Sequence, residues 1–567
     1  MSDRPTNLDA PRGGLAILHP SGHTALDKNP FGKDVANLQL WQALARHAGY
    51  ARLDVTTMQP VDAAEVARGL LDGHESPTQI TTSLRIFSHA ASELGALFRG
   101  TPELSGLAWS RRRRASDRAY SLIGMIHTLA PPAGRQMIAA ASTAPIHPWD
   151  ALICTSPSVR EAMETMFAEW GEHLAERTGG RPPPRPALPM IPLGVHAGDL
   201  VAQADRPGAR ARGRERFGLA EGDALILWVG RLSYFEKAFP QPMFRAVQQA
   251  AEATGVRTAF VMAGWFPEER DRARYEEAAR AYAPGAEIHF ADGNDRELLG
   301  DLWAGADVFL SLVDNIQETF GITPLEAMAS GLPVVASDWD GYRSTVRHGI
   351  DGFLIPTLGG PSGGGLGSAI LEWHAIDSRS YQHYVGSVAQ LTAVHVGRAG
   401  EALAELIRSP DLRRRMGAAG RARVREVYDW PVVARQIHAL TDELAAVRAA
   451  SADPPNARRP DPVAGDPFRA FAGFASSVLT LDRRLTAMPG VTAAAVRDAG
   501  QAVALDGAFA EFRGSPALCA EAFETLAAAP GGLTVREILL SVPEARRRPL
   551  ELGLAWMAKC GFVDWLT

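Results

Sequence analysis

Short apolar runs alternate with helical patterns along most of the chain, and this alternation limits the fold more than any other feature. In the first half we predict strands at 15–19, 84–88, 121–127, 151–155 and 189–193. Helical spacing of apolar residues, as in 34–47, lies between most of these runs. Strands that alternate with helices form parallel sheets covered on both faces. The first half therefore predicts an α/β domain.

The alternation restarts after a polar segment, 205–215, which we interpret as a linker. The strand candidates that follow are 224–229, 258–263, 287–290, 307–312, 333–337 and 353–355. Residues 358–367 are rich in glycine and predict a flexible loop rather than a phosphate cradle, and 397–450 are helical in pattern. We expect two tandem Rossmann-like domains, an amino-terminal one over 1–205 and a second over 206–450 that includes the terminal helices.

A third unit follows a linker at 451–465. Residues 466–567 contain β-like runs at 501–505 and 509–512 and three helical patterns, the last of which, 549–560, ends at Gly561. This order favours a small winged-helix-like module. It carries 10 Arg and Lys against 11 Asp and Glu, whereas a nucleic-acid-reading unit should be basic. We prefer recognition of a protein partner or acceptor, or self-association, as its role.

Charge and cysteine content exclude several classes of protein. The chain has 58 Lys and Arg against 64 Asp and Glu, so bulk binding of nucleic acid is disfavoured. Three cysteines far apart predict neither a disulfide framework nor a zinc site. The start is polar, and no apolar run approaches the roughly 18 residues of a membrane span, so we expect a cytoplasmic protein. For the arginine run 111–114 we expect a solvated face; the alternative is contact with a phosphate-bearing acceptor or the inner membrane face.

The segment 307–343 is the most informative for function. A strand leads through a loop into a helix that we expect to begin near Thr323, with Pro324 in its first position and Thr323 and Glu326 forming a capping box. The preceding turn, Phe320-Gly321-Ile322, brings backbone N–H groups to the start of the helix, where phosphate binds.

Charged residues gather around this turn in the sequence. Glu318 and Glu326 flank it and could hold two sugars across a diphosphate, although a capping box alone would also explain Glu326. Arg231 follows the strand that ends at Gly230, and Lys237, one of only four lysines, comes six residues later. Together these cations could neutralise a diphosphate leaving group, whereas a solvated surface pair is the alternative.

These motifs resemble those of the retaining glycosyltransferases of family 4, which have the GT-B fold. The resemblance rests on Gly-Arg-Leu followed by a lysine, and on two glutamates with seven residues between them within ETFGITPLEAMASGLPVVAS. IPLGVH at 191–196, Ala263-Gly264 and AGADVFL at 304–310 extend it. It covers roughly residues 13–450.

The resemblance implies an enzyme that transfers a sugar from a nucleotide-diphosphate sugar, and it implies a role for each matching residue. Arg231 and Lys237 would bind the donor diphosphate, and Glu318 would contact the transferred sugar. Glu326 would hold the ribose hydroxyls. The N–H groups of Phe320, Gly321, Ile322 and Thr323 would face phosphate and sugar. From the first domain, Gly32 in the loop 29–33 would approach the donor, and His127 would lie near the acceptor.

The sequence departs from the family pattern after the fifth strand of the second domain. Asp340-Gly341-Tyr342-Arg343-Ser344 stands where Gly-Gly-Ile-Pro-Glu is usual. Asp338 and Asp340 form an Asp-x-Asp that could suit Mg²⁺, but the resemblance implies that no metal or other cofactor is required. A sugar-nucleotide epimerase, a phosphorylase and an adaptor protein remain as alternatives.

Overall fold

The structure is a computed structural model that describes residues 13–24, 32–85, 88–130, 133–376, 381–452, 461–500, 503–510 and 513–565. The chain divides into two units, Met1–Asp461 and Pro462–Thr567. Within the described residues, no helix is both long enough and apolar enough to cross a bilayer.

The first domain of the larger unit is built on a parallel six-stranded sheet whose central strands are buried. Its strands are β1 (Gly14–Leu18), β2 (Arg52–Thr57), β3 (Gln79–Leu84), β4 (Ala96–Arg99), β5 (Ser121–Met125) and β6 (Ala151–Ile153), in the order β3-β2-β1-β4-β5-β6. Its helices are α1 (Gly32–His47), α2 (Ala63–Leu71), α3 (Ala90–Leu94), α4 (Ser105–Arg114), α5 (Ala133–Thr143) and α6 (Pro157–Thr178).

The second domain repeats this architecture. Its parallel strands are β7 (Ala224–Val229), β8 (Thr258–Gly264), β9 (Glu287–Asp292), β10 (Val308–Ser311), β11 (Val334–Ser337) and β12 (Gly352–Ile355), in the order β12-β11-β10-β7-β8-β9. Its first helices are α7 (Ala197–Ala204), α8 (Ala209–Glu215), α9 (Pro240–Thr254), α10 (Glu269–Tyr282), α11 (Arg296–Gly305), α12 (Ile322–Ala329) and α13 (Tyr342–Thr345).

The remainder of the larger unit is mainly helical. It comprises β13 (Thr357–Leu358), α14 (Leu366–Ile376), α15 (Tyr381–Ala389), β14 (Ala393–Val394), α16 (Val396–Arg408), α17 (Pro410–Arg423), a π-helical turn (Val424–Tyr428) and α18 (Trp430–Ala450).

Both sheets have the Rossmann strand order, which confirms the expectation of two tandem Rossmann-like α/β domains. In each sheet the first and fourth strands are neighbours, β1 with β4 and β7 with β10. The chain leaves these two strands in opposite directions, and ligands of such sheets bind in the crevice beyond the strands' carboxyl ends. In the second domain this position is occupied by the loops that follow Val229 and Ser311.

The last helix of the larger unit, α18, returns to the first domain. The Tyr50 hydroxyl lies 3.3 Å from the Thr441 hydroxyl, and the Arg448 guanidinium donates to the carbonyl of Gly95 at 2.8 Å. A second crossing runs beside it, where Val195 donates its backbone N–H to Tyr428 at 2.8 Å. The domains are therefore joined by two chain segments that hydrogen-bond to each other.

The smaller unit contains helices around a small antiparallel sheet. Its helices are α19 (Pro467–Ala470), α20 (Ala493–Ala499), α21 (Pro516–Ala527), α22 (Val535–Leu540) and α23 (Glu544–Lys559), and its strands, in the order β16-β15-β17, are β15 (Arg484–Ala487), β16 (Leu533–Thr534) and β17 (Val563–Trp565). The winged-helix-like character of this module stays a prediction. The predicted β-like run at 501–505 is wrong, because Ala504–Gly507 forms a 3₁₀ turn. The run predicted at 509–512 is not a strand at 509–510 either. The other parts of the two runs, 501–502 and 511–512, lie outside the described residues.

Several local predictions in the larger unit are wrong because charged side chains form pairs there. The predicted linker 205–215 contains the helix α8, in which Arg214 pairs with Asp307 at 3.0 Å. The arginine run is not a solvated face throughout. The fully buried Arg111 forms a bidentate salt bridge with Asp150, with hydrogen bonds of 2.6 and 2.9 Å. Arg112 likewise pairs with Asp117.

Strand predictions in the first domain also need correction. The sequence misses β2 and β4. It places a strand at 84–88, whereas β3 ends at Leu84, and residues 86–87 lie outside the described residues. The sequence does not predict β2 because the polar Asp54 interrupts its apolar run. Asp54 is nevertheless buried, and it accepts hydrogen bonds from Thr81 and Ser83 of β3. Residues 189–193 form only an isolated bridge through Met190, and the glycine-rich segment leads into a helix, α14, at Leu366.

Candidate active site

The turn before α12 has a conformation that only glycine accommodates well. Gly321 has φ 82°, and a Cβ there would lie 1.9 Å from Cε1 of Tyr342. Gly321 is the N-cap residue, and no side chain caps the helix. The predicted capping box is therefore wrong: Thr323 is the second helical residue and Pro324 the third. The first turn of α12 offers its backbone N–H groups without competition from a capping side chain.

The side chains of this turn differ in exposure. Phe320 is buried against the ring of Tyr428, so only its backbone can face a ligand. Ile322 and Thr323 are half-buried. The turn therefore presents mainly backbone groups, the arrangement that suits a phosphate.

Glu326 lies in the second turn of α12. Its carboxylate makes no hydrogen bond or ion pair with any residue that the structure describes. Burial alone raises the pKa of Glu326 to about 7. A half-buried carboxylate without a partner is costly for the fold, which is typical of a group kept for a ligand.

Lys237 and Glu318 meet beside the turn. The Lys237 ammonium donates to the Glu318 carboxylate at 3.1 Å, and both side chains keep some exposure. Glu318 belongs to the loop after β10, and Lys237 to the loop between β7 and α9. The structure thus brings these two predicted residues together at the switch point of the second sheet.

The same two loops are joined by further bonds. The Asn315 amide donates to the carbonyl of Phe235 at 2.7 Å, and the backbone N–H of Phe239 donates to Asp314 at 3.3 Å. Burial raises the pKa of Asp314 well above its usual range. These buried polar residues were not identified from the sequence, because nothing in their spacing distinguishes them from loop residues.

Arg231 lies in the first of these loops, at the carboxyl end of β7. Its guanidinium pairs with Glu236 at 2.6 Å and lies over the ring of Trp265. Burial lowers the pKa of Arg231, and Glu236 and Tyr381 oppose that effect. An arginine retains its charge in such surroundings, so a partly buried positive charge is fixed at this edge of the sheet.

His127 follows β5 of the first domain and contacts both domains. Its Nε2 lies 3.0 Å from the Asn37 side-chain oxygen, and its carbonyl accepts a hydrogen bond from the Thr319 hydroxyl at 2.8 Å. Burial, together with Lys33, lowers the pKa of His127 to about 4, so the imidazole is neutral at pH 7. His127 therefore touches the residue that directly precedes Phe320.

Gly32 is the first residue of α1, the helix that carries Asn37. A Cβ added at Gly32 would meet no atom of the described residues within 4 Å. Residues 29–31 of the predicted loop lie outside the described residues.

The Asp-x-Asp sequence does not form a paired carboxylate site. Asp338 accepts from Arg343 at 3.1 Å, and Asp340 accepts from the Ser156 hydroxyl at 2.8 Å. Among the residues that the structure describes, no three His, Cys, Asp or Glu side chains are grouped to hold a metal ion.

Comparison with known proteins identifies the domain that carries most of these residues. Residues 210–358 match the family model described as glycosyl transferases group 1. This region of the chain is similar to the group 1 glycosyl transferases. The resemblance inferred from the sequence is thereby confirmed, and the match spans Arg231, Lys237, Glu318 and Glu326.

The curated relatives match only part of the chain. A D-inositol 3-phosphate glycosyltransferase from Nocardia farcinica is 29% identical over 198 residues, which cover 34% of this chain and 41% of the relative. A phosphatidyl-myo-inositol mannosyltransferase from Mycobacterium leprae is 34% identical over 173 residues, covering 30% and 36%. The chain thus spans less than half the length of these relatives.

Solved structures resemble the larger part of the chain. A sucrose-phosphate synthase from Thermosynechococcus elongatus aligns with a TM-score of 0.47 and 20% identity, over 77% of this chain and 100% of the other. HepE from Anabaena, in complex with UDP and glucose, aligns with a TM-score of 0.48 and 16% identity, over 76% and 100%.

Proposed function

We propose that the protein is a retaining glycosyltransferase that moves a sugar from a nucleotide-diphosphate sugar to a hydroxyl acceptor. The observation that carries this proposal is the arrangement around α12. An uncapped helix start, the Lys237–Glu318 pair and the unpartnered Glu326 lie together beyond the switch point of the second sheet.

The proposed donor site assigns a distinct role to each group. The N–H groups of residues 320–323 face the diphosphate, and Arg231 and Lys237 neutralise its charge. Glu318 contacts the transferred sugar, and Glu326 accepts hydrogen bonds from the ribose hydroxyls. Glu318 and Glu326 lie on opposite sides of the turn, so a nucleotide sugar spanning them places its diphosphate at the N-terminus of α12.

The proposed reaction depends on stabilising the leaving group. The bond between the anomeric carbon and the diphosphate oxygen breaks, and negative charge builds on the diphosphate. Arg231, Lys237 and the helix start stabilise that charge, which is the largest catalytic term expected. The acceptor oxygen attacks from the face that the diphosphate vacates, and the departing diphosphate takes its proton. This scheme retains the configuration of the sugar and needs no protein nucleophile.

The first domain supplies the acceptor side in this proposal. His127 lies next to Thr319 and carries no charge at neutral pH, so it can hydrogen-bond an acceptor hydroxyl without adding a cation. Gly32 leaves room for the donor at the start of α1. The names of the curated relatives point to an inositol phosphate or a phosphatidylinositol as acceptor classes to test first. Glycans, lipid-linked sugars, proteins and small metabolites remain alternatives.

Cations from the protein take the place of a metal ion in this scheme. We therefore expect full activity in the presence of a chelator, and loss of activity that added Mg²⁺ restores would contradict this part of the proposal. We also propose a cytoplasmic location, and a role for 466–567 in recognising a partner or the acceptor. Deletion of 462–567 with assay of acceptor use tests the latter.

A thermal-shift screen against nucleotide sugars tests the donor assignment. A ligand that binds only the folded state stabilises it by RT ln(1 + [L]/Kd), so the correct donor should raise the melting temperature above the other nucleotides. Release of free nucleoside diphosphate, with the anomeric configuration of the product followed by NMR, separates a retaining transferase from an epimerase or a phosphorylase.

Two variants test the leaving-group assignment with that donor. Arg231→Ala and Lys237→Ala should each lower the rate about 10²-fold or more, by analogy with loss of a group that stabilises an oxyanion. Lys559→Ala, on the exposed side of α23, is the matched control and should keep wild-type turnover. Wild-type turnover in both test variants would refute the proposal.

A further inference from the structure

Asp340 has an unusual backbone conformation for its residue type. Its φ of 39° lies in the left-handed region, which an L-residue occupies only at a conformational cost. Asp340 also stands where the family pattern has a glycine, which would adopt this conformation freely. Strained residues of this kind persist where the surroundings compensate for them, often at functional sites.

The compensating contact comes from the other domain. The Ser156 hydroxyl, at the start of α6 in the first domain, donates to the Asp340 carboxylate at 2.8 Å. The same hydroxyl oxygen accepts the backbone N–H of Val159 at 3.1 Å and so caps α6. A serine hydroxyl has one donor proton and two lone pairs, so the cap leaves the proton for Asp340.

A parallel contact strengthens this connection. The neighbouring Thr155 hydroxyl donates to the carbonyl of Thr319 at 3.3 Å, and both side chains are buried. The residues before α6 therefore hold two points of the second domain, one at Asp340 and one directly before the phosphate turn.

The segment that follows Asp340 supports the turn before α12. A Cβ on Gly341 would lie 2.3 Å from Cα of Phe320, so these two backbones touch. The ring of Tyr342 packs on Gly321, and its hydroxyl lies 3.0 Å from that of Ser311. A shift of residues 340–342 would therefore move the backbone N–H groups of the turn.

We propose that the Ser156–Asp340 hydrogen bond is an interdomain latch that positions the phosphate turn, with Asp340 acting as a positioning residue and not a catalytic one. The latch fixes the first domain to the 340–342 segment, and that segment fixes the turn. The functional consequence, tighter donor binding, rests on the proposed function, whereas the structural consequence does not.

Asp340→Gly distinguishes the effect of the Ser156–Asp340 hydrogen bond from the effect of the strained backbone at residue 340. Glycine relieves the left-handed conformation but removes the acceptor, so the variant should melt no lower than wild type. Amide exchange in a peptide covering 319–323 should become about tenfold faster, and the donor KM should rise about tenfold, the effect expected of losing one hydrogen bond. kcat should fall as well, because the same N–H groups are proposed to stabilise the charge that builds on the departing diphosphate.

Asp72→Gly is the matched control for this variant. Asp72 is the other aspartate with a positive φ among the described residues, at 47°, and it ends α2 at an exposed position in the first domain. Its replacement relieves the same kind of strain without touching the latch, so amide exchange at 319–323 and the donor KM should stay at wild-type values.

Ser156→Ala removes the hydroxyl that donates the hydrogen bond to Asp340, and Ser409→Ala is its control. Both serines cap a helix whose first residue is proline, so both variants lose a cap, but only Ser156 bonds across the domains. Ser156→Ala alone should speed exchange at 319–323 and raise the donor KM. Ser156→Thr keeps the hydroxyl and should behave as wild type. The double variant Ser156→Ala/Asp340→Gly should be no worse than the more severe single variant.

The readouts separate the latch from the proposed function. Amide exchange is measured without donor, so it tests the latch even if the wild-type protein binds no nucleotide sugar, a result that would refute only the proposed function. Exchange at 319–323 that matches the controls in both Ser156→Ala and Asp340→Gly overturns the latch. Faster exchange with an unchanged donor KM overturns the positioning role.

Discussion

Replacing Glu326 by glutamine should stabilise the protein at alkaline pH and weaken donor binding at the same time. Burial raises the pKa of Glu326 from 4.5 to about 7. The folded protein therefore binds this proton more tightly than the unfolded chain. The contribution of this group to stability is present below pH 4.5 and is lost as pH rises through 7.

The size of the effect follows from that interval. At about 1.4 kcal/mol per pH unit, the difference between 4.5 and about 7 corresponds to about 3 kcal/mol. The side chain keeps partial exposure, and solvent screening reduces this to roughly 2 kcal/mol. Glutamine has the same shape and no charge to desolvate, so Glu326→Gln should gain that amount at pH 8 and little at pH 5.

Thermal melting at the two pH values measures the gain, and donor titration measures the loss. Glu326→Gln should melt a few °C above wild type at pH 8 and within about 1 °C of it at pH 5. Its donor KM should rise about tenfold at pH 8, since hydrogen bonds from ribose hydroxyls to a carboxylate are stronger than those to an amide.

Glu405→Gln, at an exposed position of α16, is the control and should shift neither quantity. An equal gain at both pH values would show that the stabilisation does not come from the ionised carboxylate. A wild-type donor KM in Glu326→Gln would remove Glu326 from the donor site.

Two further predictions concern packing. Gly321→Ala should raise the donor KM at least tenfold, because its Cβ would meet the ring of Tyr342 at 1.9 Å. Gly359→Ala is the control, since a Cβ there meets no described atom within 4 Å, and it should leave the donor KM unchanged. Equal donor KM values in the two variants would contradict the close packing at Gly321. Arg111→Ala should lower the free energy of unfolding by about 3–5 kcal/mol, because it leaves the Asp150 carboxylate buried without its partner. Denaturant titration against the exposed Arg113→Ala measures this, and similar losses in the two variants would show that the buried pair contributes little.

The sequence by itself was sufficient to predict the strands of the second domain. Most of its strands are apolar runs, as expected where both faces of a parallel sheet are buried, and each of the six candidates corresponds to an observed strand. The order of motifs also placed Arg231, Lys237, Glu318 and Glu326 in loops and a helix next to particular strands. Such information is local, since it depends on residues that are neighbours along the chain.

The first domain was harder to predict because contacts between strands changed what its residues could do. Aspartate is more typical of loops than of buried strands, yet Asp54 lies inside the sheet, where hydroxyl groups of β3 donate hydrogen bonds to it. Arg111 belongs to a charged run, yet Asp150, distant in sequence, makes its burial tolerable. Burial of a charged group is decided by its partner in space, which composition and spacing do not identify.

Tertiary structure alone also decided how the proposed site is held together. The sequence marks Asp340 as a departure from a glycine pattern, but Ser156, its partner, lies 184 residues earlier in the chain. Likewise the helix at the turn begins at Ile322 rather than after a Thr323 cap, because Tyr342 packs under Gly321 and fixes the backbone there. Local sequence therefore supplied the charged groups and the helix, whereas packing between distant segments set their conformation and connections.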